Sequence, residues 1–326
     1  MEAGNHALNC ENPDLQSSSE SNVVQSSEAA GNSDQRIIVI NSRWMIILAA
    51  VLWSTNGFFA KAPWFAGWPG FVLAFWRAMF ACAILLPMVR RPRWSPRLIP
   101  VTLIFAAMNY TYLTVMERYE ASNAIWLQYT APIWIITLGV VFLKEKTTWA
   151  DWVMVLFQMV GVLVILIPQF RDDTLWGLIL KLLVGVTYAL VVLSLRWMRD
   201  FEAAWIVGIN HVMTCVVFLP FVVMEGTYPT EIIQWGALIA FGMLQMGLPY
   251  WLFARSVKHI PGHEATGIVI LEPILVPVWV YIAWSHLDNY ESPSVSTIIG
   301  AVFILVGLVI RFYNERKIAH QSVLAG

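Results

Sequence analysis

Two ionisable side chains fall in the middle of long apolar runs, and the chemistry of this chain has to start from them. Arg77 stands in GFVLAFWRAMFACAILLP and Glu272 in ATGIVILEPILVPVWV. A charge at the centre of a membrane-spanning helix costs at least about 2.5–3.5 kcal/mol, so each residue needs a partner or a task. A guanidinium and a carboxylate can pair statically, or cap helix ends inside the bundle. Alternatively, one binds substrate charge while the other cycles protons. A carboxylate in a low-dielectric site can exchange protons near neutral pH, which makes Glu272 the candidate for a proton-coupled step. Pro273 directly follows it and removes a backbone donor, so carbonyls are exposed toward a cavity.

A second tier of residues is polar or aromatic. Trp53 and Asn56 are three apart and share a helix face, as do Asn109 and Tyr112. Gln245 and Tyr250 are five apart and less well aligned, and Trp126 and Gln128, two apart, point in different directions. Asn210 and His211 complete the set. Each of these also has a plainer reading as interhelical hydrogen-bond glue. Together they describe a cavity that is aromatic, polar and weakly charged. It suits neutral or zwitterionic organic solutes better than phosphates, which call for several basic groups. Lys181 is read as a structural residue that snorkels outward. His259 and His263 are separated by Pro261 and Gly262, which break the helix that would align them on a metal. There is no GxSxG elbow, HExxH, Walker loop or GxGxxG. The three cysteines, Cys10, Cys82 and Cys215, suggest no disulfide framework.

The elements that must position these residues follow from composition. Of 326 residues, 58% are apolar or aromatic and 13% are charged. Soluble domains reach about 45–50% and about 25%. A soluble enzyme, a nucleic-acid binder and a disordered scaffold are therefore excluded, and the chain reads as an all-α integral membrane protein. The apolar runs are Trp44–Ala62, Pro69–Val89, Leu98–Met116, Ala121–Leu143, Trp149–Pro168, Leu175–Trp197, Ala204–Met224, Ile232–Ala254, Ala265–Trp284 and Val295–Phe312. Each is long enough, at 1.5 Å per residue, to cross a hydrocarbon core of about 30 Å as a helix. Tryptophans such as Trp44, Trp68, Trp149, Trp176 and Trp235 near the predicted ends form an interfacial belt.

Residues 1–43 are rich in Ser, Asn, Gln and Glu without apolar periodicity, and are expected to be a disordered cytoplasmic tail rather than a signal peptide. Residues 314–326 are expected to be a second tail. With the N-terminus in the cytoplasm, fifteen Lys and Arg residues fall inside, among them Arg90, Arg91, Arg93 and Arg97. Only Lys61, Arg118 and Arg171 fall at outer ends. This predicts both termini in the cytoplasm, in a multi-pass protein of the plasma (inner) membrane.

The ten runs also read as a duplication. CAILLP in the second run and CVVFLP in the seventh align Cys82 with Cys215, a shift of 133 residues. Ala124 and Pro132 align with Ala265 and Pro273 at a shift of 141, and Gly161 aligns with Gly307 at 146. Five crossings per copy, 44–168 and 175–313, make the second copy inverted, the architecture of many secondary transporters. Gly161, Gly300 and Gly307 are placed to allow close helix packing.

The stretch ASNAIWLQYTAPIWIITLGVVFLKEKTTW, residues 121–149, resembles the first-repeat signature of the EamA-type permeases of the drug/metabolite transporter superfamily. The shared features are a small-residue helix start, a mid-helix proline and a charged loop with Glu145. Glu272–Pro273 is similar to the second-repeat signature, and Arg77 matches the family's basic residue in helix 2. WSHLDNYESPS after the ninth run departs from the usual Gly-Glu loop. The resemblance implies ten helices around a central cavity with helices 5 and 10 peripheral. With the cavity residues it supports secondary transport of small organic metabolites such as amino acids, with no cofactor or metal expected; the family motifs do not identify a substrate, and export is the family's commoner direction. Protons are the expected coupling ion, Pro132 and Pro273 the expected gating kinks, and a homodimer is left open. A membrane-embedded enzyme acting on a lipid or prenyl substrate would need His, Asp or Glu clustered at one depth. A ligand-sensing or assembly protein would leave the duplication unexplained.

Overall fold

The computed structural model describes residues 40–143, 147–170, 174–198, 200–256, 259–260, 262–288, 290 and 292–325. Among them there is no strand. Among the described residues nine helices are long and apolar enough to span a bilayer, and the remaining run, 121–143, is divided into two shorter segments. In chain order the helices are α1 Ile40–Ala60, α2 Gly70–Met88, α3 Leu98–Arg118, α4 (Ala121–Gln128 with Ala131–Leu143) and α5 Trp149–Leu166. There follow α6 Leu175–Trp197, α7 Ala203–Glu225, α8 Ile232–Ser256, α9 (Gly262–Val269 with Leu271–Trp284) and α10 Val295–Ala325.

Two boundaries differ from the sequence reading. The first helix is already formed at Ile40, four residues before Trp44, because the IIVIN segment continues its apolar pattern. The last helix runs on through Ala325, so the residues after Tyr313 are helical and not an irregular tail. Good helix formers such as Glu315, Arg316, Lys317 and Ala319 explain the extension. Residues 1–39 and Glu145 lie outside the described residues.

The helix interruptions shape the interior. In α4 the chain turns at Tyr129 and Thr130, and in α9 at Ile270. The prolines do not sit at these breaks. Pro132 is the second residue of Ala131–Leu143 and Pro273 the third of Leu271–Trp284, the first turn, where a missing N–H is tolerated. Each break lies two or three residues earlier, because a proline leaves the carbonyl four residues before it without a helical donor. Those carbonyls belong to Gln128 and Val269. In α1 the side chains of Ser54 and Thr55 donate back to Val51 O and Leu52 O, at 2.6 and 2.7 Å, and the helix opens at Thr55. α8 contains one turn of π-helix over Met243–Gly247.

Contacts between the halves obey the internal repeat. A Cβ on Gly161 would lie 2.7 Å from Gly300 O, and one on Gly307 would lie 3.1 Å from Met154 O. Gly161 corresponds to Gly307 and Met154 to Gly300 at the same shift of 146, so the α5–α10 crossing is two versions of one contact. Arg311 and Asp151 add an ion pair of 3.2 Å to that crossing. Cys82 and Cys215, also repeat equivalents, lie within hydrogen-bonding reach of each other between α2 and α7. The small residues at 161, 300 and 307 act as the sequence suggests: they let backbones approach.

Candidate functional site

Arg77 lies inside the α2 face that packs against α3, α7 and α8, and is 1% exposed. Its Nη2 donates to Asn109 Oδ1 on α3, and its guanidinium stands 5.2 Å from the ring centre of Phe241 on α8. Asn109 is itself fixed, because its Nδ2 donates to Phe105 O at 3.0 Å. The Nε and Nη1 of Arg77 have no hydrogen-bond partner among the described residues. A buried donor left unmade costs about 1–3 kcal/mol, more when charged, so an arginine kept only for structure would have its donors filled. Two donor atoms of the buried guanidinium are therefore left over by the packing of the described residues.

Glu272 sits in the first turn after the α9 interruption, with part of its surface open. Its Oε2 accepts from Tyr129 Oη at 3.0 Å, and the same hydroxyl reaches Val269 O at 3.0 Å. Val269 O is the carbonyl that Pro273 leaves without a helical donor. The hydroxyl of α4 therefore caps the break of α9. At the α4 break itself, Gln158 Nε2 from α5 donates to Tyr129 O at 3.1 Å. At the α1 break, Gln245 Nε2 from α8 donates to Trp53 O at 3.1 Å. Each helix interruption is thus completed by a side chain from another helix, as lipid-buried backbone requires.

Among the described residues no ion pair joins Arg77 to Glu272, so the static pairing considered from the sequence is not what holds them. Tyr112 and Tyr250 stand within electrostatic reach of both. Tyr188 on α6 is close to Glu272, Tyr112, Tyr129 and Tyr250. The result is a polar cluster in which Arg77, Glu272, Tyr112, Tyr129, Tyr188 and Tyr250 lie within electrostatic reach of one another's neighbours.

Most of the residues singled out from the sequence meet here. Trp53 packs edge-on against Tyr250, with ring centres 5.2 Å apart. Asn56 approaches Tyr112. His211 is fully buried beside Arg77, with Phe105 at 5.0 Å and Tyr250 at 6.4 Å, and neither ring nitrogen has a hydrogen-bond partner among the described residues. Gln245 and Tyr250, misaligned on an α-helix, both reach Trp53 because the π-turn hydrogen-bonds i to i+5 and rotates Tyr250 into register. Gln128 is half-buried with its Oε1 unpartnered. Trp126 instead packs into the main apolar core. Lys181 does not snorkel: it is 2% exposed, and its Nζ lies 3.8 Å from the Tyr119 ring centre. The cation–π contact and surrounding apolar surface hold it inward.

Tyr129, Gln158 and Tyr188 are the residues that sequence reasoning missed. Tyr129 follows a polar Gln128 and precedes the Thr-Ala-Pro break, a signal that was available. Tyr188 follows Thr187 in an otherwise apolar stretch, and Gln158 is the only amide in α5.

A 270 Å³ cavity opens where α1, α3, α4 and α9 end, lined by Lys61, Glu117, Arg118, Val280, Trp284 and Tyr290 among others. Behind it, α9 clasps the opened turn of α1. Trp279 Nε1 donates to Ser54 Oγ at 2.8 Å and Trp284 Nε1 to Phe58 O at 2.9 Å. A Cβ on Gly57 would meet Val280 at 2.7 Å.

Comparison with known proteins agrees with this architecture. The sequence model of the EamA-like transporter family matches residues 42–167 and again 175–313. An uncharacterized transporter of Archaeoglobus fulgidus is 24% identical over 270 residues, covering 81% of this chain and 94% of its own. The S-adenosylmethionine uptake transporter of Rickettsia bellii is 22% identical, with 78% of this chain and 87% of its own covered. The pseudopaline exporter of Pseudomonas aeruginosa is 22% identical, over 74% and 85%. One solved crystal structure superposes with a TM-score of 0.59 at 16% identity, covering 86% of this chain and 97% of its own, which speaks for the fold alone. The relatives are named as transporters and not as enzymes. This multi-pass membrane protein belongs to the EamA-like transporter family.

Proposed function

We propose that the protein is a secondary transporter of small zwitterionic organic solutes, amino acids and their derivatives among them, working by alternating access between its two five-helix halves. The observation that carries this reading is the buried Arg77, held by Asn109 with its Nε and Nη1 left without a hydrogen-bond partner among the described residues, while Glu272 is a separate carboxylate not ion-paired with it. A solute carrying a carboxylate and an ammonium group fits that pair end to end, with the carboxylate on the free Arg77 donors. Its apolar part lies against Trp53, Tyr112 and Tyr250. A phosphate would find a single arginine. S-adenosylmethionine, in the name of one relative, carries an α-amino-acid group with both charges, which supports the same class.

Glu272 is the proton-coupling group in this reading, with Tyr129 as its hydrogen-bond partner. The interruptions before Pro132 and Pro273 are the points at which α4 and α9 flex as gates. Export is the direction taken here from the family resemblance. Plasma-membrane location with both termini in the cytoplasm rests on the fifteen-to-three placement of basic residues. The test is uptake of a mixed pool of amino acids and related metabolites into proteoliposomes, with and without a pH gradient. Faster entry of at least one zwitterionic solute than into empty liposomes is expected. No solute entering faster would overturn the proposal.

A further inference from the structure

The loop before α3 is both basic and held in place. Residues 90–97, RRPRWSPR, contain four arginines and no acid. All four arginines are exposed. The backbone under them is fixed: the Glu202 carboxylate accepts from Arg91 N at 2.7 Å and from Arg90 N at 3.1 Å. Trp205 Nε1 donates to Arg93 O at 2.8 Å, and Trp94 packs edge-on against Trp205 at 5.1 Å. With four arginines against the single carboxylate of Glu202, the loop keeps a net positive charge. Arg97 lies over the Trp197 ring at 5.5 Å, at the end of α6.

The same loop forms the wall of an apolar groove of 540 Å³ between α3 and α7. Trp94, Pro96 and Ile99 line it from the loop and α3, and the half-buried Val212 and Met213 of α7 form its floor, with the exposed Val216 also on the α7 side. Trp94, Ile99 and Val216 are more than half exposed, so the groove opens outward from the helix bundle. From the start of α7 to Val216 is about 20 Å at 1.5 Å per residue. That is somewhat more than the depth of one leaflet's hydrocarbon, half of about 30 Å.

We propose that this groove binds one anionic phospholipid, with an acyl chain between α3 and α7 and its phosphate among Arg90, Arg91, Arg93 and Arg97. A neutral lipid or a second copy of this chain would fill the groove but leave the excess positive charge of the four arginines uncompensated. The pairing of apolar groove and basic rim therefore selects the anionic lipid.

Native mass spectrometry of the purified full chain, offered equal phosphatidylglycerol and phosphatidylcholine of the same acyl chains, tests the proposal. Retention of phosphatidylglycerol in preference to phosphatidylcholine is expected. Each single Arg→Gln substitution in the loop should weaken that preference about fivefold, the fold-change of about 1 kcal/mol per basic residue near a membrane surface. Met213→Trp, which fills the groove floor without touching the rim, should lower retention of the anionic lipid with the arginines intact. Equal retention of the two lipids overturns the proposal. So does a preference that survives both the Arg→Gln series and Met213→Trp, or a dimer that Met213→Trp dissociates while lipid retention is unchanged.

Discussion

Tyr129 and Glu272 are joined by a 3.0 Å hydrogen bond that runs from the interruption of α4 to the interruption of α9. The Tyr129 hydroxyl has one proton and two acceptors, since Val269 O also lies 3.0 Å away. While Glu272 is ionised, the two acceptors compete for that proton. Once Glu272 is protonated it can donate to Tyr129 Oη, and the tyrosine proton is released entirely to Val269 O. A protonation event at the carboxylate thus changes how firmly the α9 break is capped. In the transport proposal, this is how proton binding would be linked to the flexing of α9.

Tyr129→Phe removes the donor and keeps the ring. Interhelical hydrogen bonds within membranes average about 0.6 kcal/mol and reach about 1.7. This one serves a carbonyl with no helical donor and a carboxylate, so a loss of about 1–2 kcal/mol is expected. The variant should unfold at lower temperature in detergent, and the double variant with Glu272→Gln should lose less than the sum of the two. Strict additivity would show that the two side chains do not act together.

Arg77→Gln should separate solutes by their charge. Hydrogen bonds to charged groups contribute about 1.5–3 kcal/mol, so transport of a free amino acid should fall at least about tenfold. The amide of the same amino acid should change far less. Arg77→Lys keeps the charge but loses the planar donors held by Asn109, and should fall between. Equal losses for acid and amide in a competition uptake assay would remove Arg77 from carboxylate recognition.

Helix packing gives a contrast between two glycines. A Cβ on Gly300 would stand 2.5 Å from Ile165 and 2.6 Å from Gly161 O, whereas nothing lies within 4 Å of one on Gly236. Gly300→Leu is expected to destabilise by about 1–3 kcal/mol through overpacking. Gly236→Ala should be neutral or slightly stabilising. Thermal unfolding followed by circular dichroism reads both, and the reverse order would contradict the α5–α10 crossing.

The main features of this fold were legible because a bilayer makes strong demands: every spanning run must be long, apolar and internally hydrogen-bonded. The same demands made Arg77 and Glu272 stand out. What the residues did not reveal is how the helices are interrupted. Pro132 and Pro273 point to weak places, but the breaks fall at Tyr129–Thr130 and Ile270, where carbonyls lose their donors. The π-turn at 243–247 has no sequence signal of its own, so Gln245 and Tyr250 looked misaligned. Tyr129 was overlooked because a tyrosine in an apolar run reads as interfacial packing. Lys181 was read as snorkelling outward because its partner, Tyr119, comes from a different helix end. Partners distant in sequence are what a periodicity cannot supply.

The central claim is that Glu272 couples solute movement to protons in a site shared with Arg77. Proteoliposomes holding wild-type protein or Glu272→Gln, loaded with unlabelled amino acid and given labelled amino acid outside, test it with and without a pH gradient. Gradient-driven accumulation by the wild type only is expected, with solute exchange retained by the variant. Accumulation that survives Glu272→Gln would contradict it.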